Sequence, residues 1–176
     1  MICMISAISI AAAEKVELGS ASVSLNLNGL GSFNVEKGDP SSMDHEKIDF
    51  QYTINPANIN LEDSSNTVQI EIHEMSISEP LDSSISRKDP ASGLEHCMEK
   101  SNMVPFGEDL ETEPYTIDGK QGLLATLNGD LENPMYIVAY SPDEESGSGS
   151  IVCVIGSNLP WENTKSIFDS VETTLT

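Results

Sequence analysis

The chain has 176 residues, with 29 Asp and Glu against 8 Lys and Arg, for a formal net charge of −21. Acidity spread from Glu14 to Glu172 argues against nucleic acid or an anionic membrane surface as partner, since both need a basic footprint. It fits cations, cationic partners or a salty medium, and equally a surface kept soluble by self-repulsion. The length suits a single core that needs no metal to fold.

The chain opens on an apolar run, Ile2-Cys3-Met4-Ile5 through Ala11-Ala12-Ala13, that stops at Glu14-Lys15. The run is too short for a membrane-spanning helix, but it fits a secretory h-region followed by an A-x-A cleavage site. No Lys or Arg precedes it, so the expectation is a signal peptide over residues 1–13, whole or truncated, and a mature domain over 14–176. A buried first strand is the alternative. Cys3 does not suit a lipid anchor, because Met1-Ile2 stand where small residues would be needed. This reading places the protein outside the cytoplasm or at the cell surface, with no integral membrane span in the mature chain.

Ala21, Val23, Leu25 and Leu27 alternate with polar residues as in a half-buried strand, and Asn28-Gly29 predicts a turn returning into Phe33 and Val35. Ile48, Phe50, Tyr52 and Ile54 form the next apolar face, closed by Asn55-Pro56. Val68, Ile70 and Ile72 follow, opposed by Gln69, Glu71 and His73. Met75 and Ile77 then fall out of phase, which predicts a bulge near Glu74. Pro90, with a capping box at Ser92-x-x-Glu95, predicts a helix over residues 90–101 that carries Leu94, Cys97 and Met98 on one face.

The later half reads as a meander: Tyr115–Ile117, an Asp118-Gly119 turn, Leu123–Leu127, an Asn128-Gly129 turn, then residues 135–140 and 151–155. The last two runs are apolar on both faces and so predict central, doubly covered strands. Trp161, Thr164, Ile167, Phe168, Val171 and Leu175 predict one amphipathic closing helix started by Asn158 and Pro160. With no β-α-β alternation, the expected class is α+β, an antiparallel sheet of about six to eight strands with a mid-chain and a C-terminal helix.

Tyr115-Thr116-Ile117-Asp118-Gly119-Lys120-Gln121-Gly122, the two apolar strands and the segment from Leu159-Pro160-Trp161-Glu162 to Leu175 together resemble the PsbP-like α/β/α sandwich. The chain before Tyr115 departs from that pattern in lacking a clear first helix. The resemblance implies a central antiparallel sheet between helices, in a family of mostly accessory or binding proteins, many of them exported.

Candidate chemistry is sparse. Asp44, His45 and Asp49 offer oxygen and imidazole ligands for a divalent cation such as calcium, without the spacing of an EF-hand or a zincin. No other cofactor is suggested, since nucleophile-elbow and phosphate-loop patterns are missing. His73 reads as a surface histidine beside a carboxylate, with a general base as the alternative. Cys97 and Cys153 form either a disulfide, for which chain entropy would contribute about 4 kcal/mol, or two separate buried thiols. The acidic segments Glu108 to Glu113 and Asp143 to Glu145 read as solvated loops. Two functions follow: an exported, non-enzymatic accessory or binding module for a protein or cell-envelope component, or a secreted hydrolase built on His73, His45 and the acidic loops.

Overall fold

A computed structural model describes residues 13–45, 50–62, 64–77, 90–106, 108, 110–128, 134–143 and 149–176. The elements run β1 (Glu14–Leu18), β2 (Ala21–Leu25), β3 (Phe33–Lys37), β4 (Ser41–His45), β5 (Phe50–Leu61), β6 (Thr67–Ile77), α1 (Pro90–Lys100), β7 (Thr112–Ile117), β8 (Lys120–Leu127), β9 (Met135–Tyr140), β10 (Gly149–Ser157), α2 (Trp161–Phe168) and β11 (Glu172–Leu175). A three-stranded sheet has the order β1-β2-β11, and an eight-stranded sheet the order β3-β5-β6-β10-β9-β8-β7, with β4 also paired to β5.

With 55% strand and 13% helix, the expected α+β class and PsbP-like α/β/α sandwich give way to a mostly antiparallel β protein. Part of the reason lies at the closing segment, where helix was expected as far as Leu175. The helix stops at Phe168, and Glu172–Leu175 pairs with β2 as a strand. Val171, Thr173 and Thr174 are β-branched, so they lose rotamer freedom in a helix and pack well on a pleated sheet. Glu14–Leu18, directly after the expected cleavage site, is also a strand. It turns into β2 through Gly19-Ser20 with Gly19 at φ 54°, the positive φ that a type II′ hairpin needs at its first turn residue.

Three more expectations are corrected. Asn28-Gly29 does not close a hairpin, because β2 belongs to the small sheet and β3 pairs with β5 in the large one; the turn carries the chain between sheets. Glu74 is not bulged, since the register of β6 runs unbroken with β5 from Thr67 to Ile77 and with β10 from Val68 to Ser76. Asn55-Pro56 does not end a strand. Lys37 of β3 pairs with Ala57 and Ser41 of β4 with Ile54, so Pro56 sits at the handover between two neighbours on that edge, where a missing N–H is tolerated. Asp118-Gly119 does form a tight turn, with φ of 52° and 68° and Ile117 paired to Lys120. Two successive positive φ values are the type I′ signature.

The large sheet is covered on both faces. On one, Ala57, Ile59, Ile70, Ile72, Val138, Cys153 and Ile155 meet the small sheet through Val16, Val23 and Leu25, and α2 through Ile167 and Phe168. On the other, Tyr52, Ile54, Ile137, Ala139, Val152 and Val154 meet Leu94, Cys97 and Met98 of α1, with Met103 and Val104 beyond it. Strand alternation sends neighbouring residues into different cores, which is why β9 and the Ile151–Ile155 stretch of β10 are apolar on both faces.

The helices are seated by side chains that the sequence assigned other roles. Glu95 accepts a hydrogen bond from Thr112 Oγ1 at 3.0 Å, tying α1 to β7. Asn158 does not cap α2: its Oδ1 accepts from the Thr67 amide at 2.7 Å and so fastens the entry of α2 to the start of β6. Inside α2, Thr164 Oγ1 donates to the Leu159 carbonyl at 3.0 Å and bonds Ser157 Oγ at 2.9 Å. Among the described residues no helix is long and apolar enough to cross a membrane.

Candidate functional site

The densest chemistry lies inside the second core. Glu71 and His73 are two apart on β6, so both face α1, and the register sets Pro56 and Ile54 of β5 and Val154 and Val152 of β10 beside them. His73 Nε2 lies 2.9 Å from Glu71 Oε2, and His73 Nδ1 lies 2.5 Å from the Tyr52 hydroxyl. Glu71 Oε1 accepts from the Asn102 amide at 3.1 Å and from Asn102 Nδ2 at 2.8 Å, where the chain leaves α1. Exposure is 0% for His73 and 2% for Glu71 and Tyr52. The three residues therefore form a sealed line, Tyr52–His73–Glu71, closed at its far end by Asn102.

Electrostatics fix the direction of the line. Burial alone would raise the Glu71 carboxyl, but hydrogen bonds from His73, Asn102 and Ser101 outweigh it and hold the group below its ordinary value. Glu71 is thus ionised at neutral pH and can only accept, so His73 Nε2 carries a proton and donates to it. In the neutral imidazole Nδ1 then accepts from the Tyr52 hydroxyl. Burial raises the Tyr52 phenol, reinforced by Cys97 and the Glu71 charge, so it keeps its proton. Burial pushes the Cys97 thiol up to about 11, offset in part by its bond to Tyr52. A thiol so protonated is a poor nucleophile.

His73 is therefore a core residue and not the surface histidine its strand suggested. Its face carries Glu71 and Gln69, which reads as solvent-facing only if nothing covers it; α1 does. Glu71, Tyr52 and Asn102 were not singled out from the sequence, although Glu71-x-His73 is a spacing that any strand places side by side.

The two cysteines answer the disulfide question. Cys97 and Cys153 are free and buried, Cys97 in the second core and Cys153 in the first, with the large sheet between them. Side chains on opposite faces of a sheet cannot close the short Cβ–Cβ gap of a disulfide. Cys153 lies in a smaller polar cluster: the Tyr140 hydroxyl bonds Thr173 Oγ1, and the Thr173 amide donates to Asp118 Oδ2 at 2.9 Å. Burial pushes the Cys153 thiol up to about 12.

Asp44 and His45 sit on β4, paired with Gln51 and Phe50 at the sheet edge, while Asp49 lies outside the described residues. No group of three potential metal ligands occurs among the described residues. Glu108, Glu111 and Glu113 are exposed; Asp109, Glu144 and Glu145, like the Asn128-Gly129 turn beyond Asn128, lie outside the described residues. A shallow polar depression of about 350 Å³ beside α2 is lined by Asn26, Glu162, Lys165, Ser166, Asp169 and Ser170. It lies on the first-core side of the sheet, whereas His73 faces the second.

No protein-family model matches the chain, and neither does any curated protein or solved structure.

Proposed function

We propose that this protein is an exported accessory or binding module that acts through its acidic outer surface. The observation that carries this reading is the sealing of its most reactive constellation. Tyr52, His73 and Glu71 have the residue types of an acid–base relay, yet they spend their polar atoms on one another and on Asn102, where the chain leaves α1. A relay must present a group to substrate. This one presents its hydrogen bonds inward, as a structural network does. The apolar run before Glu14 supports export, and the net charge of −21 supports cations, a cationic protein or an envelope component as partner.

Fractionation of the native cells with intact-mass measurement tests the compartment. A chain beginning near Glu14 in the exterior fraction is expected, and a full-length chain held in the cytoplasm overturns export. Incubation of the purified protein with generic ester, glycoside and peptide substrates tests the rest. The expected result is no turnover. Turnover abolished by His73→Gln or Glu71→Gln in a folded variant would reinstate the secreted hydrolase.

A further inference from the structure

The polar line in the second core treats its two proton sites unequally. Titratable groups along the line with Glu71 are His73 on its own strand, Tyr52 from β5 and, against Tyr52, Cys97 from α1; His96 of α1 is exposed, with its ring 6.4 Å from that of Tyr52. From β10 the neighbours are Val152 and Val154, and from the segment after α1 they are Ser101 and Asn102. A proton added at His73 Nδ1 reverses one bond: Nδ1–H then donates to the Tyr52 oxygen, and the Tyr52 hydroxyl turns its own proton toward the Cys97 sulfur, with which it already interacts. Nothing else in the line has to move.

A proton added to Glu71 has no such outlet. Of the partners its two oxygens hold, His73 Nε2–H, the Asn102 backbone N–H and the Asn102 side-chain amide can only donate, and the Ser101 hydroxyl already accepts from the Met103 amide at 3.1 Å. A carboxylic acid O–H would point at another hydrogen, inside a core where an unmatched polar group is costly. We propose that Glu71 is an acid-release latch, in which the carboxylate fastens Asn102, and with it the end of α1, to the large sheet, and its protonation frees that corner and opens the second core while the first core stays closed.

The sign of the pH dependence follows. The folded value of Glu71 lies below its ordinary one, so its contribution is fully present above about pH 4.3, the unfolded carboxylate value, and is lost as pH falls through the folded value. Protonation at His73 breaks no bond of the latch, so it produces no release.

The two buried thiols report which core opens. The full chain is exposed to dipyridyl disulfide, which labels thiols in acid, across a pH series, and the peptides bearing Cys97 and Cys153 are quantified separately. Below about pH 4, labelling of Cys97 is expected to outrun that of Cys153 by roughly tenfold or more, with no change between about pH 8 and 5. In Glu71→Gln, Cys97 labels fast already at neutral pH and acid adds nothing. Should that variant fail to fold, Asn102→Ala removes one donor and keeps the backbone amide, and its Cys97 release is expected at higher pH than in the parent. Cys97 and Cys153 becoming reactive together, Cys97 staying protected throughout the acid range, or an unchanged release pH in Asn102→Ala overturns the latch.

Discussion

The two faces of the large sheet hold cores of different kinds. The first is broad and apolar, closed by the small sheet and α2, and its polar cluster of Tyr140, Thr173, Asp118 and Cys153 gathers where β11 passes the Asp118-Gly119 turn. The second is narrower, closed among the described residues by the eleven-residue α1 and the segment that follows it, and a buried carboxylate sits within it. Apolar area removed from water stabilises the first at roughly 25 cal/mol per Å² whatever the pH. The second depends on hydrogen bonds to a charge, which hold only while that charge persists. One sheet therefore carries one face whose stability is a matter of packing and another whose stability is a matter of protonation state.

Breaking the first core should have the largest effect. Phe168→Ala empties a fully buried site between α2 and the sheet and is expected to cost about 3–5 kcal/mol in urea unfolding, almost independently of pH. A loss that grew steeply in acid would contradict the distinction between the cores. Next comes alkali, which acts on both. The Cys97 and Cys153 thiols ordinarily titrate near 9 and are raised to about 11 and about 12 in the fold. Groups raised in this way contribute stability that is complete below the unfolded value and is lost as pH rises through the folded ones. The unfolding free energy from urea titrations should hold to about pH 8.5 and then fall, by about 3 kcal/mol through Cys97 and about 4 kcal/mol through Cys153 once both folded values are passed. A midpoint flat to pH 11 would mean that the thiols are not sealed.

Smaller effects sharpen the contrast. Gly156 faces Met103, and a Cβ there would collide with the Met103 sulfur and crowd Met135. Gly156→Val is expected to cost about 1–3 kcal/mol, with hydrogen exchange accelerating in α1 before β2. Uniform acceleration would show that the cores are not separable. Tyr140→Phe, which removes only the hydroxyl bonded to Thr173, should cost about 1 kcal/mol and leave the acid profile untouched.

Individual strands were legible because period-2 alternation survives burial: Tyr52 and Ile54 share a face, as do Val68, Ile70 and Ile72, in the structure as in the sequence. What covers a face is not written in the strand itself. Glu71 and His73 have the composition of a wet surface, and only α1, folded from residues well downstream, turns it into an interior. The same limit hid the mismatch between β2 and β3, where Asn28-Gly29 supplies turn chemistry without saying which sheet follows. The closing helix was overextended because Val171 and Leu175 keep a helical spacing by coincidence. The choice is made by an open edge on β2, at the other end of the chain.

That edge has a consequence for how the protein is made. β2 pairs with β1 within a few residues, but its second neighbour is β11, nearly the whole chain away. The small sheet, and the first core it closes, therefore cannot be completed until β11 has been synthesised. Contacts of such long sequence separation form slowly. A nascent chain would leave Val16, Val23 and Leu25 without their full cover until late, before β11 locks onto β2.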